Sequence, residues 1–114
     1  CGFSGTWKNE LNSTIILFCN NGQLSGMYCS SVGNATDYYK LSGRYTMIGL
    51  NATVGWSVAW NNSRGNSQST TSWTGLYYKA TDTIQTQLIL VSYTPINDFW
   101  RAFTTNQDQF KRVK

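Results

Sequence analysis

At 114 residues the chain has the length for one domain around one core. Its 15% aromatic and 12% charged side chains, with ten Gly and one Pro, exclude a disordered chain and favour β-strands broken by turns. The net charge of +4 would suit an acidic partner, but Lys8, Lys40, Arg44, Arg64, Lys79 and Arg101 stand singly, and only the tail Lys111, Arg112 and Lys114 clusters. A tail cluster reads as a solvated terminus, so neither nucleic acid nor a membrane surface is expected as a partner.

Eight β-prone runs follow in chain order. They are Phe3 to Asn9, Thr14 to Cys19, Leu24 to Ser31, Tyr39 to Met47, Val54 to Asn61, Ser69 to Tyr78, Thr83 to Ser92 and Trp100 to Arg112. Turn clusters separate them at Asn20 to Gly22, Gly33 to Ala35, Asn61 to Ser67 and Pro95 to Asp98. Connections this short make sequential strands antiparallel neighbours, and eight such strands remove their edges by closing into an all-β, up-and-down barrel. The expectation is therefore one barrel domain over residues 1–114, with a β-sandwich as the alternative.

Successive strand residues point to opposite faces, so alternation sorts inside from outside. Val54, Trp56, Val58 and Trp60 share one face of the fifth run, and Tyr39, Leu41, Tyr45 and Met47 one face of the fourth. The same parity groups Ser69, Thr71 and Trp73 in the sixth run, and Leu24, Gly26, Tyr28 and Ser30 in the third. A packed core has little use for hydroxyls, each of which costs free energy when left without a partner. An inward face mixing Trp with Ser, Thr and Tyr suits a ligand cavity with apolar walls and a few polar anchors. Asp108 is the sharpest single residue, because a carboxylate on an inward face demands either a cationic partner or a ligand. Asn9 and Ser13 carry less information by themselves, since both types are common at turns.

The blocks Gly5-Thr6-Trp7-Lys8-Asn9-Glu10-Leu11-Asn12-Ser13, Gly26-Met27-Tyr28-Cys29-Ser30-Ser31-Val32-Gly33-Asn34-Ala35 and Leu41-Ser42-Gly43-Arg44-Tyr45 come in that order. Gly55-Trp56-Ser57-Val58-Ala59-Trp60, Ser69-Thr70-Thr71-Ser72-Trp73-Thr74-Gly75, and Trp100 with Asp108-Gln109-Phe110 complete the series. In sequence, order and spacing they resemble the avidin and streptavidin family of biotin-binding proteins over nearly the whole chain. The resemblance implies a non-catalytic binder of biotin, a ligand rather than a cofactor. Asn9, Ser13 and Tyr28 would donate to the ureido oxygen, while Ser30 and Asp108 would accept from the ring N–H groups. Donation to that oxygen makes the N–H groups better donors toward the carboxylate. Leu11, Val32, Trp60, Trp73 and Leu88 would wall the pocket, with Thr71 near the ring sulfur and Asn34 and Ser69 at the tail carboxylate. Trp100 would come from a neighbouring subunit, which implies a homo-oligomer, a tetramer rather than a dimer.

Two positions depart from the family's pattern. Leu88 stands where the family has a pocket Trp, a loss of aromatic contact worth about 1–3 kcal/mol, or roughly tenfold to a few hundredfold in affinity. Cys1 matches the first cysteine of the disulfide-bearing members, but Tyr77 stands where its partner would be. Hairpin geometry brings the start of the first strand near the end of the second, so the expected bridge is Cys1–Cys19, with Cys29 facing outward.

Four Asn-x-Ser/Thr acceptors, at Asn12, Asn34, Asn51 and Asn61, point to glycosylation of a secreted protein. No run reaches the length of a membrane span and no basic segment with an apolar core opens the chain, so a mature secreted form is expected. With no His and five acidic residues, the chain offers neither a nucleophile with its base nor a metal site. The competing readings are a lipocalin-like carrier of another apolar ligand and a glycan-binding β-protein that stacks sugars on Tyr38, Tyr39 and Tyr78. The biological role expected of a biotin binder is sequestration of biotin for defence.

Overall fold

A computed structural model describes residues 1–29, 38–61 and 68–114. Eight strands run β1 Gly5–Lys8, β2 Thr14–Asn20, β3 Gln23–Cys29, β4 Tyr38–Ile48, β5 Asn51–Ala59, β6 Ser69–Tyr78, β7 Thr83–Ser92 and β8 Phe103–Arg112. Each pairs antiparallel with its sequence neighbour, and β1 closes on β8 through Trp7↔Arg112 and Lys8↔Lys111. The fold is therefore the closed eight-stranded barrel and not the sandwich. No helix among the described residues is long and apolar enough to cross a membrane.

The strands form where alternation placed them, with differences at the ends. The fifth strand begins at Asn51 rather than Val54, because the hairpin Ile48↔Asn51 closes around Gly49 at φ 61°. The eighth begins at Phe103 rather than Trp100. Pro95, at φ −57°, starts a 3₁₀ turn over Ile96–Arg101, held by Asp98 N–H to Pro95 O at 2.9 Å and by an Asp98–Arg101 ion pair at 3.5 Å. Trp100 consequently belongs to this turn and not to a strand. Close strand approach explains Gly43, where a Cβ would lie 1.8 Å from Gly55 O.

Inward residues fill the barrel from one end. Phe3 is fully buried there, edge-on to Tyr45 at 5.2 Å and tilted against Tyr77 at 5.4 Å, and its carbonyl accepts the Trp7 indole N–H at 3.0 Å. Ile15, Leu17, Leu24, Ile84 and Phe110 complete this packed end. The Cys1–Cys19 bridge forms as expected, spanning 18 residues, and in the chain-entropy picture a loop of this size is worth about 3 kcal/mol. Ser4 Oγ adds a hydrogen bond from the Cys19 N–H at 3.1 Å. Cys29 keeps a free thiol on the outward face of β3, and partial burial raises its pKa.

Arg112 departs from the solvated tail expected of it. Its guanidinium lies 4.4 Å from the Trp7 ring, pairs with Asp82 at 2.8 and 3.1 Å, and donates to the carbonyls of Ser4 and Gly2. Pairing β8 with β1 delivers its planar fork to these acceptors, which the tail's charge pattern could not reveal.

Candidate functional site

The opposite end of the barrel gathers the polar interior. Asn9 follows β1, and its Oδ1 accepts the N–H groups of Leu11 at 3.1 Å and Ser13 at 2.9 Å. The Asn9 N–H donates to Ser13 O at 3.1 Å, and Asn12 takes φ 68° to complete the turn. This turn commits the oxygen of Asn9 to the backbone and leaves its amide nitrogen as the group it presents, with Ser13 beside it, both buried.

Tyr28, inward on β3, brings its hydroxyl toward Ser13 and Asn9. Burial is the largest influence on that phenol and raises its pKa, with Ser13 and Asn9 opposing it and the Asp108 charge adding to it. Asp108, inward on β8, accepts the Trp73 indole N–H at 2.8 Å, with Asn9 near enough to lower its pKa, while its own carbonyl accepts from Thr86 Oγ1 at 2.9 Å. Burial raises the Asp108 pKa, with the hydrogen bond from Trp73 working against it. Among the described residues no cationic side chain pairs with this carboxylate.

Aromatic rings surround the cluster. Trp73 stacks on Tyr28 at 5.4 Å and on Trp56 at 5.8 Å. Trp60 meets Tyr28 at 5.1 Å and Tyr39 at 5.0 Å edge-on, and donates its N–H to Thr71 Oγ1 at 2.7 Å. That bond leaves the Thr71 hydroxyl proton to donate elsewhere. Leu88, half-buried, lies opposite Trp73 on one side and Asn106 on the other. Around the polar cluster the wall is thus aromatic along β3 to β6, whereas β7 and β8 present Leu88, Asn106 and Asp108 there.

Of the residues expected at the site, Asn9, Ser13, Tyr28, Trp60, Thr71, Trp73, Leu88 and Asp108 lie on this inner surface, and Ser69 stands half-buried at the start of β6. Leu11 is not brought inside: it is 73% exposed in the β1–β2 turn, because Asn9 folds the backbone around itself there. Trp100 is 72% exposed on the 3₁₀ turn. Ser30, Val32 and Asn34 lie outside the described residues. Of the sequons, Asn12 and Asn61 are exposed, Asn51 accepts the Lys79 N–H at 3.0 Å, and the Asn34 acceptor lies outside the described residues. Tyr39 and Trp56, inward by alternation, join the aromatic wall, although the family resemblance implies a ligand contact for neither. Asn106, two residues before Asp108 on the same face, was readable from the same alternation. Among the described residues no group of three metal-ligating side chains occurs.

A closed eight-stranded barrel with a carboxylate, an amide and the hydroxyls of Ser13, Tyr28 and Thr71 sunk into an aromatic interior is the architecture of a ligand-holding barrel. The model of the avidin family matches residues 1–113, and the chain belongs to that family. It is similar to Afifavidin from Afifella pfennigii, with 37% identity over 75 residues that cover 63% of this chain and 45% of that protein. The chain therefore matches less than half the length of this relative.

Proposed function

We propose that this chain binds biotin, without catalysis, in the polar and aromatic end of the barrel. The observation that carries the reading is the convergence of Asn9, Ser13 and Tyr28 on one side of a buried Asp108 that has no cation beside it among the described residues. Donors facing one acceptor, and a carboxylate facing N–H groups, are what a cyclic urea requires on its two edges. Ser30 would add the second acceptor, Thr71 would meet the ring sulfur, and Ser69 with Asn34 would take the tail carboxylate. Trp60 and Trp73, together with Val32 and Leu88, would cover the apolar parts. The exposed Trp100 would complete the wall of a neighbouring subunit's site, which makes a homotetramer the assembly proposed here. Secretion, glycosylation at the sequons and sequestration of biotin for defence complete the proposal.

Isothermal titration with biotin, with light scattering on the same sample, tests it. One biotin per chain on a tetramer is the expected result. No heat, and no displacement by biotin analogues, would sink the reading. In that event the carrier of another apolar ligand gains ground, because Leu88 leaves the β7 wall aliphatic. Leu88→Trp is expected to slow biotin release by roughly tenfold to a few hundredfold, through restored aromatic contact. Stopped-flow displacement checks this, and an unchanged off-rate would show that Leu88 does not line the ligand.

A further inference from the structure

The wall formed by β7 and β8 carries a polar group that the biotin reading does not use. On β8 the inward residues are Thr104, Asn106, Asp108 and Phe110, alternating with the outward Phe103, Thr105, Gln107 and Gln109. Phe110 is fully buried and Asp108 nearly so, while Asn106 and Thr104 are exposed. The strand thus climbs from the packed end to the open mouth, and Asn106 stands one inward step above Asp108. Residues two apart on one face of a strand are separated by about 7 Å. A ligand whose polar head is held at Asp108 therefore lays its middle past Asn106, with Leu88 directly opposite in register.

The side chain's chemistry is narrowed by its one bond. Asn106 Oδ1 accepts the Gln107 N–H at 2.8 Å, so the group left for a ligand is the amide nitrogen, a donor. On β6, the other neighbour of β7, Thr71 accepts from Trp60 and keeps a hydroxyl proton. Two donors on β6 and β8 therefore stand near the level of the ligand's middle, flanking the half-buried Leu88 and Leu90 of β7.

We propose that Asn106 determines specificity by favouring ligands with a hydrogen-bond acceptor midway along their length, and that for biotin this means the S-oxide. The inference rests on the biotin reading of the same site. A thioether sulfur is a weak acceptor and gains little from the amide, whereas a sulfoxide oxygen is strong and must be given a donor once it leaves water.

The test is competition titration of biotin and biotin sulfoxide, both sulfoxide diastereomers separately, against the wild-type chain, Asn106→Asp and Asn106→Leu. Asp keeps an acceptor for the Gln107 N–H but has no donor, and Leu removes both. The ratio of sulfoxide to biotin dissociation constants is expected to rise about fivefold to tenfold in both variants for at least one diastereomer, the value of one neutral hydrogen bond. A merely structural role would weaken both ligands alike and leave the ratio fixed. A ratio that stays within about twofold in both variants overturns the inference while leaving biotin binding intact. Failure of the wild-type chain to bind biotin overturns the underlying reading instead, and the two failures are told apart by the biotin titration alone.

Discussion

Asp108→Asn is expected to weaken biotin binding by roughly tenfold to a hundredfold and, in the ligand-free chain, to raise Tm. The first effect follows from exchanging a charge-assisted hydrogen bond for a neutral one at the group proposed to face the ureido N–H. The second follows from burial, which holds the Asp108 carboxyl above its ordinary range because the charged form is poorly solvated there. A raised carboxyl pKa favours the uncharged form in the folded chain. Its contribution to stability is complete below the unfolded carboxyl's range and is lost as pH rises through the folded one. At neutral pH the wild-type chain therefore carries a destabilising charge that Asn lacks, while the Trp73 indole, donating at 2.8 Å, can still find the amide oxygen. The Tm difference between variant and wild type is expected to shrink as pH falls through the raised Asp108 range. Calorimetry across pH checks stability, and titration with biotin checks affinity. Unaltered affinity would remove Asp108 from the ligand, and a lowered Tm would mean that its charge has a stabilising partner.

The reason this residue could be picked from sequence is that a carboxylate alternating into a barrel has few explanations, and among the described residues no cation stands beside it. Trp56, Trp60 and Trp73 were legible for the same reason, since strand parity alone places all three inside. Asn9 and Ser13 were not legible on such grounds. Their turn is held by the side-chain oxygen of Asn9 on the backbone, a local pattern that any Asn at a turn could make, so only the family resemblance singled them out. Trp100 was misplaced because its aromatic type favours a strand, while Pro95 and the Asp98–Arg101 pair decide for a 3₁₀ turn. The resemblance implies Leu11 as a pocket wall, but the same Asn9 turn exposes it. Arg112 was read as a tail charge, because the partners that bury it lie at sequence separations from 30 to 110.

Those distant partners make Arg112→Met the substitution with the largest expected effect on stability, about 2–4 kcal/mol. Met retains an apolar stem over Trp7 but loses the cation–π contact, the two-bond pair with Asp82 and the hydrogen bonds to Ser4 O and Gly2 O. The figure allows for solvent screening of a pair whose side chains are 24% and 33% exposed. The same residue sets an acid limb. Its hydrogen bonds hold the Asp82 carboxyl below its ordinary range, opposed by burial, so the stability from the pair is present above the unfolded carboxyl's range. It is lost as pH falls through the lowered Asp82 range. The limb therefore lies on the acid side of the one set by Asp108, and Arg112→Met should remove it while leaving the Asp108 dependence in place. Thermal melts of both chains from neutral to strongly acid pH would show the two curves drawing closer at the acid end by the share that the Asp82 pair contributes, with the share from Trp7 and the two carbonyls left between them. Arg112 closes the packed end of the barrel, away from Asn9 and Tyr28, so biotin affinity well below the melting range is expected to match that of the wild-type chain. An Arg112→Met chain that melts with the wild type at neutral pH would show that the Cys1–Cys19 bridge and Phe3 hold the packed end without it.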